Sequence, residues 1–388
     1  MSKKRLIDIK PESVERALLV AVDARRSADR RLAEESLDEL GRLAGAAGAE
    51  VVGKLTQRLI VPSKTHYLGE GKLAELLSLK SDTNYNIVIF DDELSPLQQR
   101  NVENFLKVKV IDRVALILDI FARRAQTREG QLQIELAQHQ YLYPRIAGQW
   151  SHLERLGGGI GTRGPGEAQI ETDRRLIQKK IHRLKTQIEQ VRKHRLLYRQ
   201  KRRKSGIPVV ALVGYTNAGK STLLNTLSQA NVSVEDKLFV TLDPTTRRLS
   251  LPDNCAVLIT DTVGFIRKLP PSIVNAFRAT LEELSEASVL LHVVDFSSPY
   301  AAEQCQAVED ILEGLDLTDK PRITAMNKID LVLDRGRDWS EREALKYFSE
   351  KVEPADNDTV FISAGKKWGF SGLLELISRI LARTAAPV

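Results

Sequence analysis

One short segment constrains the fold of this chain of 388 residues more than any other. It matches the pattern GxxxxGK[ST] and reads Gly214-Tyr215-Thr216-Asn217-Ala218-Gly219-Lys220-Ser221. An apolar run typical of a buried strand, Val209-Val210-Ala211-Leu212-Val213, precedes it, and a helix-like run follows it. In such a strand–loop–helix unit, the loop N–H groups and the positive end of the helix surround phosphate groups. The sequence therefore predicts a phosphate-binding loop (P-loop) within an α/β domain.

The side chains of this P-loop predict which groups they contact. We expect Lys220 to neutralise the β- and γ-phosphates and Ser221 to ligate Mg²⁺. The candidate nucleotide ligands in the loop and the first helical turn are Gly214, Tyr215, Thr216, Asn217, Ala218, Gly219, Lys220, Ser221 and Thr222.

Three shorter motifs follow later apolar runs that are typical of strands. They are Asp261-Thr262-Val263-Gly264, Asn327-Lys328-Ile329-Asp330 and Ser363-Ala364. We expect Asp261 to hold Mg²⁺ through water and the Gly264 N–H to sense the γ-phosphate. The two carboxylate acceptors of Asp330 suit the N1–H and N2–H₂ donors of guanine, a donor pair that adenine lacks. The order and spacing of the set predict a guanine nucleotide site.

Two further positions concern hydrolysis. A threonine that completes the Mg²⁺ shell is expected between the P-loop and Asp261, and the segment 241–246 offers Thr241, Thr245 and Thr246, of which we favour Thr245. We assign catalytic roles to Lys220, Thr245 and Gly264. Phe265 stands where many GTPases carry a glutamine that orients the attacking water. Because phenylalanine cannot do this, we expect slow unaided hydrolysis.

The positive charge of the chain is concentrated in one stretch. The whole chain carries a formal net charge of +7, yet residues 174–204 contain 14 Lys and Arg and one acidic residue. Residues 1–173 are neutral overall and residues 205–388 are acidic. A dense basic block is typical of a polyanion-binding surface. The alternative is a solvated helix face, although such faces usually mix both signs of charge.

Hydrophobic periodicity divides the chain into three predicted segments. Residues 1–111 alternate between strands and helices and form a small α/β subdomain. Residues 112–205 form an antiparallel helical hairpin, with one arm from Asp112 to about Tyr143 and the other from Ala168 to Lys204. Residues 206–388 form a doubly wound P-loop GTPase (G) domain.

The tip of the predicted hairpin is a glycine-rich run at 157–166, which we expect to be neither helix nor strand. It contains a GxGxxG match, but no strand precedes it, so we reject a dinucleotide site. Either its glycines let the loop approach an RNA backbone, with Arg155 and Arg163 as positive points, or the loop is a flexible connector.

Composition sets the compartment. No run of 18 apolar residues exists, so no transmembrane helix is expected, and the N-terminus lacks the apolar core of a secretory signal. Cys255 and Cys305 are the only cysteines and lack metal-ligand spacing. A reducing compartment, the cytoplasm, is therefore expected.

Taken together, these residues resemble the HflX family of translational GTPases, relatives of the Obg GTPases. The most specific similarities are GGGIGTRGPGE at 157–167, LDPTTRR at 242–248 and DTVGFIRKLP at 261–270, and the resemblance covers essentially the whole chain. It implies an N-terminal α/β subdomain, a helical hairpin and a G domain. Some members carry a further C-terminal domain, whereas only six residues follow the last predicted helix, Ser371–Ala382. We expect any ribosome contact made by such a domain to be absent.

The resemblance also implies partners and an activity. Members bind the large ribosomal subunit, with the hairpin loop reaching toward the peptidyl-transferase centre. They split vacant or stalled 70S ribosomes, often under stress, and the ribosome stimulates their hydrolysis of GTP to GDP and phosphate. The expected ribosome-binding residues are Arg155, Arg163, Arg199, Lys201, Arg202 and Arg203. Asn217 matches an asparagine that helps potassium-activated relatives to hold K⁺. Two alternatives stay open: a GTPase of ribosome assembly or RNA remodelling, and a GTP-gated ribosome-binding module.

The base assignment leads to a direct test. Asp330→Asn exchanges a carboxylate acceptor for an amide donor, so GTP should bind roughly 10- to 100-fold more weakly and xanthosine triphosphate more tightly than in the unchanged chain. Competition binding with the two nucleotides measures the switch. A variant that still prefers GTP would exclude Asp330 as the residue that reads the base.

Overall fold

The computed structural model describes residues 14–24, 30–146, 165–204, 206–228, 239, 245–268, 283–334, 336–352 and 357–385. Contacts group the chain into two compact units. The first combines Met1–Ile120 with Gln138–Lys179, and the second combines Phe121–Ala137 with Lys180–Val388. The three-part division at 1–111, 112–205 and 206–388 stays a prediction about domains.

The first unit contains a parallel four-stranded sheet with the strand order β2-β1-β3-β4. Its elements are β1 (Arg16–Ala24), α1 (Arg30–Ala46), β2 (Glu50–Leu59), α2 (Glu70–Thr83), β3 (Ile87–Phe90), α3 (Pro96–Leu106) and β4 (Lys109–Asp112). Strand β3 is buried at every position, as its continuous apolar run predicts. Helix α3 begins at Pro96, because Ser95 caps its N-terminus and forms a capping box with Gln98 in the first turn. The alternating strand–helix prediction for this region is confirmed.

A buried ion network closes the carboxyl end of this sheet. Arg113 follows β4 directly and is 1% exposed. Its guanidinium donates to Asp91 Oδ1 at 2.6 Å and to Glu39 Oε2 at 2.7 Å, and Ser36 Oγ donates to Asp91 Oδ2 at 2.6 Å. A buried ion pair is costly to break, because removal of one partner leaves the other charge uncompensated in a low dielectric.

The predicted first arm of the hairpin is wrong in one respect, since two helices replace the single run. Helix α4 (Arg113–Arg124) ends before Thr127, and α5 (Arg128–Leu142) begins after it. The Thr127 hydroxyl accepts a hydrogen bond from the Gly130 N–H at 3.0 Å, which is the geometry of a helix N-cap. Apolar periodicity continues across the break, so it does not reveal this cap.

The second arm is a single helix, α6 (Pro165–Lys204), of 40 residues. It begins at Pro165, so the last two residues of the glycine-rich run are helical, contrary to the prediction; proline suits the first helical turn. In the second unit, Lys180 pairs with Glu135 at 2.7 Å and Arg195 pairs with Glu129 at 3.3 Å, which confirms that α5 and α6 run antiparallel. The predicted tip residues Arg155 and Arg163 lie outside the described residues.

The second unit also contains a six-stranded sheet with the order β10-β9-β8-β5-β7-β6. Its elements are β5 (Val209–Val213), α7 (Lys220–Leu227), β6 (Thr245–Ser250), β7 (Ala256–Asp261), β8 (Val289–Asp295), α8 (Ala301–Glu313), β9 (Arg322–Asn327), a 3₁₀ turn (Ile329–Leu331), α9 (Glu341–Lys351), β10 (Thr359–Phe361) and α10 (Phe370–Ala385). Every neighbouring pair is parallel except β6 with β7, which is antiparallel. The predicted doubly wound α/β architecture is confirmed.

Two expectations from composition concern membrane-spanning helices and the cysteines. Within the described ranges, no helix combines the length and the apolarity that a bilayer crossing requires. Both cysteines are free, with Cys255 exposed and Cys305 partly buried.

The buried network in the first unit predicts a large stability effect. Arg113→Met should lower the opening free energy of β1, β3 and β4 by about 3–5 kcal/mol, because Asp91 and Glu39 lose their buried partner. Amide hydrogen exchange of these strands measures the change. Lys54→Met is the matched control, since Lys54 pairs with Asp38 at an exposed position and should cost less than about 1 kcal/mol. Equal effects of the two substitutions would contradict a structural role for the network.

Candidate nucleotide-binding site

The P-loop fits its surroundings with no room for side chains at its two ends. Gly214 has φ +148°, and a Cβ there would lie 2.3 Å from the Val293 carbonyl oxygen. Gly219 has φ +95°, and its Cβ would lie 2.3 Å from Asn327 Nδ2. Both glycines are therefore required by conformation and by packing. The loop is pressed against the carboxyl ends of β8 and β9.

Lys220, the first residue of α7, points back along the loop. Its ammonium donates to the Gly214 carbonyl at 3.0 Å and to the Tyr215 carbonyl at 2.8 Å. The side chain is only 6% exposed. Burial lowers the pKa of Lys220 to about 8, and nearby Asp261 opposes that shift.

Ser221 and Asp261, two of the predicted Mg²⁺ ligands, lie within hydrogen-bonding distance of each other. Ser221 Oγ donates to Asp261 Oδ2 at 2.6 Å. Thr245 lies opposite Asp261 in the β6–β7 pair, and its side chain is exposed. The neighbouring Thr246 hydroxyl shares a 2.9 Å hydrogen bond with Thr260 on the other face of the strand. Hydroxyl and carboxylate oxygens are the donors that Mg²⁺ prefers, so this donor set fits the ion.

Gly264 and Phe265 hold the P-loop from the other side. A Cβ at Gly264 would lie 2.9 Å from Lys220 Nζ and 2.9 Å from Thr216 Cα. The Phe265 N–H donates to the Gly214 carbonyl at 3.0 Å, and the Thr216 N–H donates to the Phe265 carbonyl at 2.7 Å. The Phe265 side chain is 2% exposed. Sequence reasoning missed this backbone clamp, because it depends on main-chain position and not on side-chain chemistry.

Asn327 connects the P-loop to the loop after β10. Its side-chain N–H donates to the Ala218 carbonyl at 2.8 Å, and its side-chain oxygen accepts from the Ala364 N–H at 2.9 Å. The side chain is 1% exposed. Both of its polar ends are thus hydrogen-bonded within the protein. Ser363 is also buried, and its hydroxyl accepts from the Lys366 N–H at 3.1 Å.

The predicted base-reading turn follows Asn327. Lys328 has a left-handed φ of +63°, and its ammonium donates to Asp295 Oδ2 at 2.7 Å. Asp330 lies in the 3₁₀ turn and is partly buried. Sequence reasoning missed Asp295, although an acidic residue that directly follows a buried apolar run was a usable signal.

The structure also gives the positions of the remaining predicted site residues. Asn217 is exposed, with φ +62°, a left-handed conformation that asparagine tolerates better than most residues. Thr222 lies in the first turn of α7. The basic residues predicted to contact the ribosome fall in the last turns of α6: Arg199, Lys201, Arg202 and Arg203.

Phe239 is the one described residue between α7 and β6 that follows Ser228, and it precedes the segment 241–246 that offers the candidate Mg²⁺ threonines. Phe239 is 3% exposed, and its ring packs edge-on against Phe121 with centroids 4.6 Å apart. Phe121 lies near the end of α4, within the same compact unit.

Three family models match successive parts of the chain. Residues 34–122 match "GTP-binding GTPase N-terminal", residues 124–202 match "GTP-binding GTPase Middle Region", and residues 209–328 match "50S ribosome-binding GTPase".

Curated relatives and a solved structure agree with these models. The GTPase HflX of Caldanaerobacter subterraneus is 50% identical over 367 residues, covering 95% of this chain and 81% of the relative. The GTPase HflX of Escherichia coli K12 is 47% identical over 300 residues, covering 77% of this chain and 70% of the relative. The crystal structure of SsGBP in complex with GDP has the same fold, at 24% identity and a TM-score of 0.50, over 96% of this chain and all of that one. Similarity of this extent shows that the chain belongs to the HflX family of GTPases and is a GTP hydrolase.

Proposed function

We propose that this GTPase binds the large ribosomal subunit and dissociates vacant or stalled 70S ribosomes, with its GTP hydrolysis stimulated by the ribosome. One observation carries the proposal: the basic block at 174–204 lies on α6, the helix that follows the predicted hairpin tip in the sequence, in a chain whose residues 209–328 match a family of 50S ribosome-binding GTPases. The two free thiols and the ribosomal target support a cytoplasmic, partly ribosome-associated protein.

The geometry of the P-loop supports specific roles in GTP binding. Lys220 is proposed to exchange its two carbonyl acceptors for β- and γ-phosphate oxygens, which are stronger acceptors. Gly264 is proposed to offer its N–H to the γ-phosphate, since it lies against Lys220 and Thr216. The residues proposed to line the nucleotide are Gly214, Tyr215, Thr216, Asn217, Ala218, Gly219, Lys220, Ser221, Thr222, Asp261, Gly264, Asn327, Lys328, Asp330, Ser363 and Ala364.

Metal ions complete the proposed site. Ser221, Thr245 and Asp261 are proposed to hold Mg²⁺, directly or through water, and the exposed Asn217 is proposed to contact K⁺. When bound, Mg²⁺ supplies positive charge beside the phosphate oxygens.

The role of Asn327 is structural under this proposal. Because both ends of its amide are hydrogen-bonded to the protein, it orients the phosphate and base loops and does not read the base itself. Base selection is assigned to Asp330. The Ala364 N–H already donates to Asn327, so contact with guanine O6 requires a bifurcated bond or a neighbouring N–H.

RNA contact is assigned to α6 and not to the second unit as a whole. The segment 205–388 carries 19 basic and 25 acidic residues, so an RNA backbone is not attracted to it overall. The basic end of α6 supplies the missing positive charge, and Arg155 and Arg163 at the predicted tip are proposed to extend that contact.

The ribosome proposal predicts two linked results. Purified 50S subunits should accelerate GTP hydrolysis, and 70S particles should dissociate with GTP, as followed by light scattering. Neutralisation of Arg199, Lys201, Arg202 and Arg203 should weaken 50S binding and reduce the slope of log affinity against log salt by up to about 3.

The control neutralises four exposed basic residues elsewhere, Arg342, Lys346, Lys351 and Arg383, and should leave the salt slope unchanged. Absence of 50S stimulation in the unchanged protein would refute the proposal. Stimulation without dissociation of 70S particles would favour a role in ribosome assembly. GTP-dependent docking without stimulation would favour a ribosome-binding module.

The lowered pKa of Lys220 predicts that nucleotide binding takes up a proton. Burial lowers the pKa of Lys220 in the nucleotide-free protein to about 8, and phosphate oxygens favour its charged form. Calorimetry in buffers of different ionisation enthalpy should find that nucleotide binding takes up a proton, and that the uptake increases from pH 7 to pH 9. Lys220→Arg, which stays charged, should remove the uptake from whatever binding remains. Binding without uptake at pH 9 would contradict the assignment.

Because the pKa of Lys220 is lowered in the folded protein, its contribution to the free energy of unfolding depends on pH. Between about pH 8 and 10.5 the unfolded chain binds this proton and the folded chain does not. The Lys220 contribution to the stability of the nucleotide-free protein should therefore rise with pH across this window.

A further inference from the structure

The side-chain hydroxyl of Thr216 is buried and makes no hydrogen bond within the described part of the chain. The residue is 6% exposed, and among the described residues its Oγ1 has no hydrogen-bond partner. A buried hydroxyl without a partner costs about 1–3 kcal/mol, so such groups are rare unless a ligand completes them. The Thr216 backbone is well fixed, because its N–H donates to the Phe265 carbonyl at 2.7 Å.

The position of Thr216 indicates what that ligand is. A Cβ built on Gly264 lies 3.0 Å from Thr216 Cγ2 and 2.9 Å from Lys220 Nζ. The Thr216 methyl group and the Lys220 ammonium therefore both lie against Gly264, and the Thr216 hydroxyl is carried by the same Cβ as that methyl group. Under the proposed function, Lys220 and Gly264 meet the γ-phosphate in this region.

The site has no glutamine at the usual position to orient the attacking water, and the Thr216 hydroxyl can take that role. Phe265 occupies the position from which glutamine usually orients the attacking water. Its ring has no hydrogen-bonding group and is 2% exposed. A threonine hydroxyl has one donor and two acceptor lone pairs, so it can accept from a water molecule.

We propose that Thr216 is a catalytic residue whose hydroxyl orients the water that attacks the γ-phosphate. This inference rests on the proposed placement of the γ-phosphate beside Lys220 and Gly264. In the reaction the water oxygen forms a bond to the γ-phosphorus, and the bond to the β–γ bridging oxygen breaks, leaving its electron pair on GDP. The protons of the water pass to the phosphate product and solvent, and Thr216 neither gains nor loses one.

Two substitutions at this position separate a catalytic role from a structural one. Thr216→Val keeps the shape and removes the hydroxyl, whereas Thr216→Ser keeps the hydroxyl and removes the methyl group. In single-turnover hydrolysis at saturating GTP, Thr216→Val should be slower by at least about tenfold, and Thr216→Ser should stay within about threefold of the unchanged protein. GDP affinity should fall by no more than about threefold in either variant, because both keep the Thr216 backbone and its hydrogen bond to Phe265.

The thermal midpoint of unfolding separates the two roles. If Thr216 only stabilised the fold, slow hydrolysis in Thr216→Val would be accompanied by a lower midpoint. Thr216→Val removes an unsatisfied buried group, so the nucleotide-free variant should unfold at the same or a higher temperature. A slower and equally stable variant supports the proposal.

Three results would overturn the proposal: unchanged hydrolysis in Thr216→Val, an equal loss in Thr216→Ser, or a matching loss of GDP affinity that indicates a distorted loop. Rates measured without ribosomes test Thr216 even if 50S subunits fail to stimulate the unchanged protein. The two proposals can therefore fail separately.

Discussion

The candidate site depends on one constraint, which is the absence of space around the P-loop backbone. Gly214 lies against the end of β8, and Gly219 lies against Asn327 at the end of β9. Phe265 adds two backbone hydrogen bonds from the chain that follows β7. Because the loop is held from three strands, its N–H groups and Lys220 are positioned before a ligand arrives. Such preorganisation reduces the free-energy cost of binding and of catalysis.

Much of this arrangement was predictable from the sequence. Continuous apolar runs identified the central strands, because strands buried on both faces tolerate few polar residues. The motif residues Asp261 and Asn327 followed those runs, so their meeting at one sheet edge could be predicted. The break between α4 and α5 could not, since the Thr127 cap is a local hydrogen bond and the apolar periodicity continues across it. The backbone hydrogen bonds of Phe265 to the P-loop could not be predicted either, because main-chain hydrogen bonds do not depend on the type of side chain.

The two sheets differ in how polar side chains are paired at the carboxyl ends of their strands. In parallel sheets this edge is where ligands usually bind. In the first unit, Arg113 occupies the edge, and its two terminal guanidinium nitrogens pair with the carboxylates of Glu39 and Asp91. In the second unit, the Lys220 ammonium donates to two backbone carbonyls, and Thr216 Oγ1 has no hydrogen-bond partner among the described residues. The second edge therefore retains binding capacity that the first has used internally.

The single amide of Asn327 has a consequence for how this protein could evolve. It joins the Ala218 carbonyl in the phosphate loop to the Ala364 N–H in the base loop. A mutation that shifts the base loop to fit another purine also moves an anchor of the phosphate loop. A change of preference that depends on moving the base loop would therefore need compensating substitutions in both loops at once, whereas an exchange that leaves the loop in place, such as Asp330→Asn, would not.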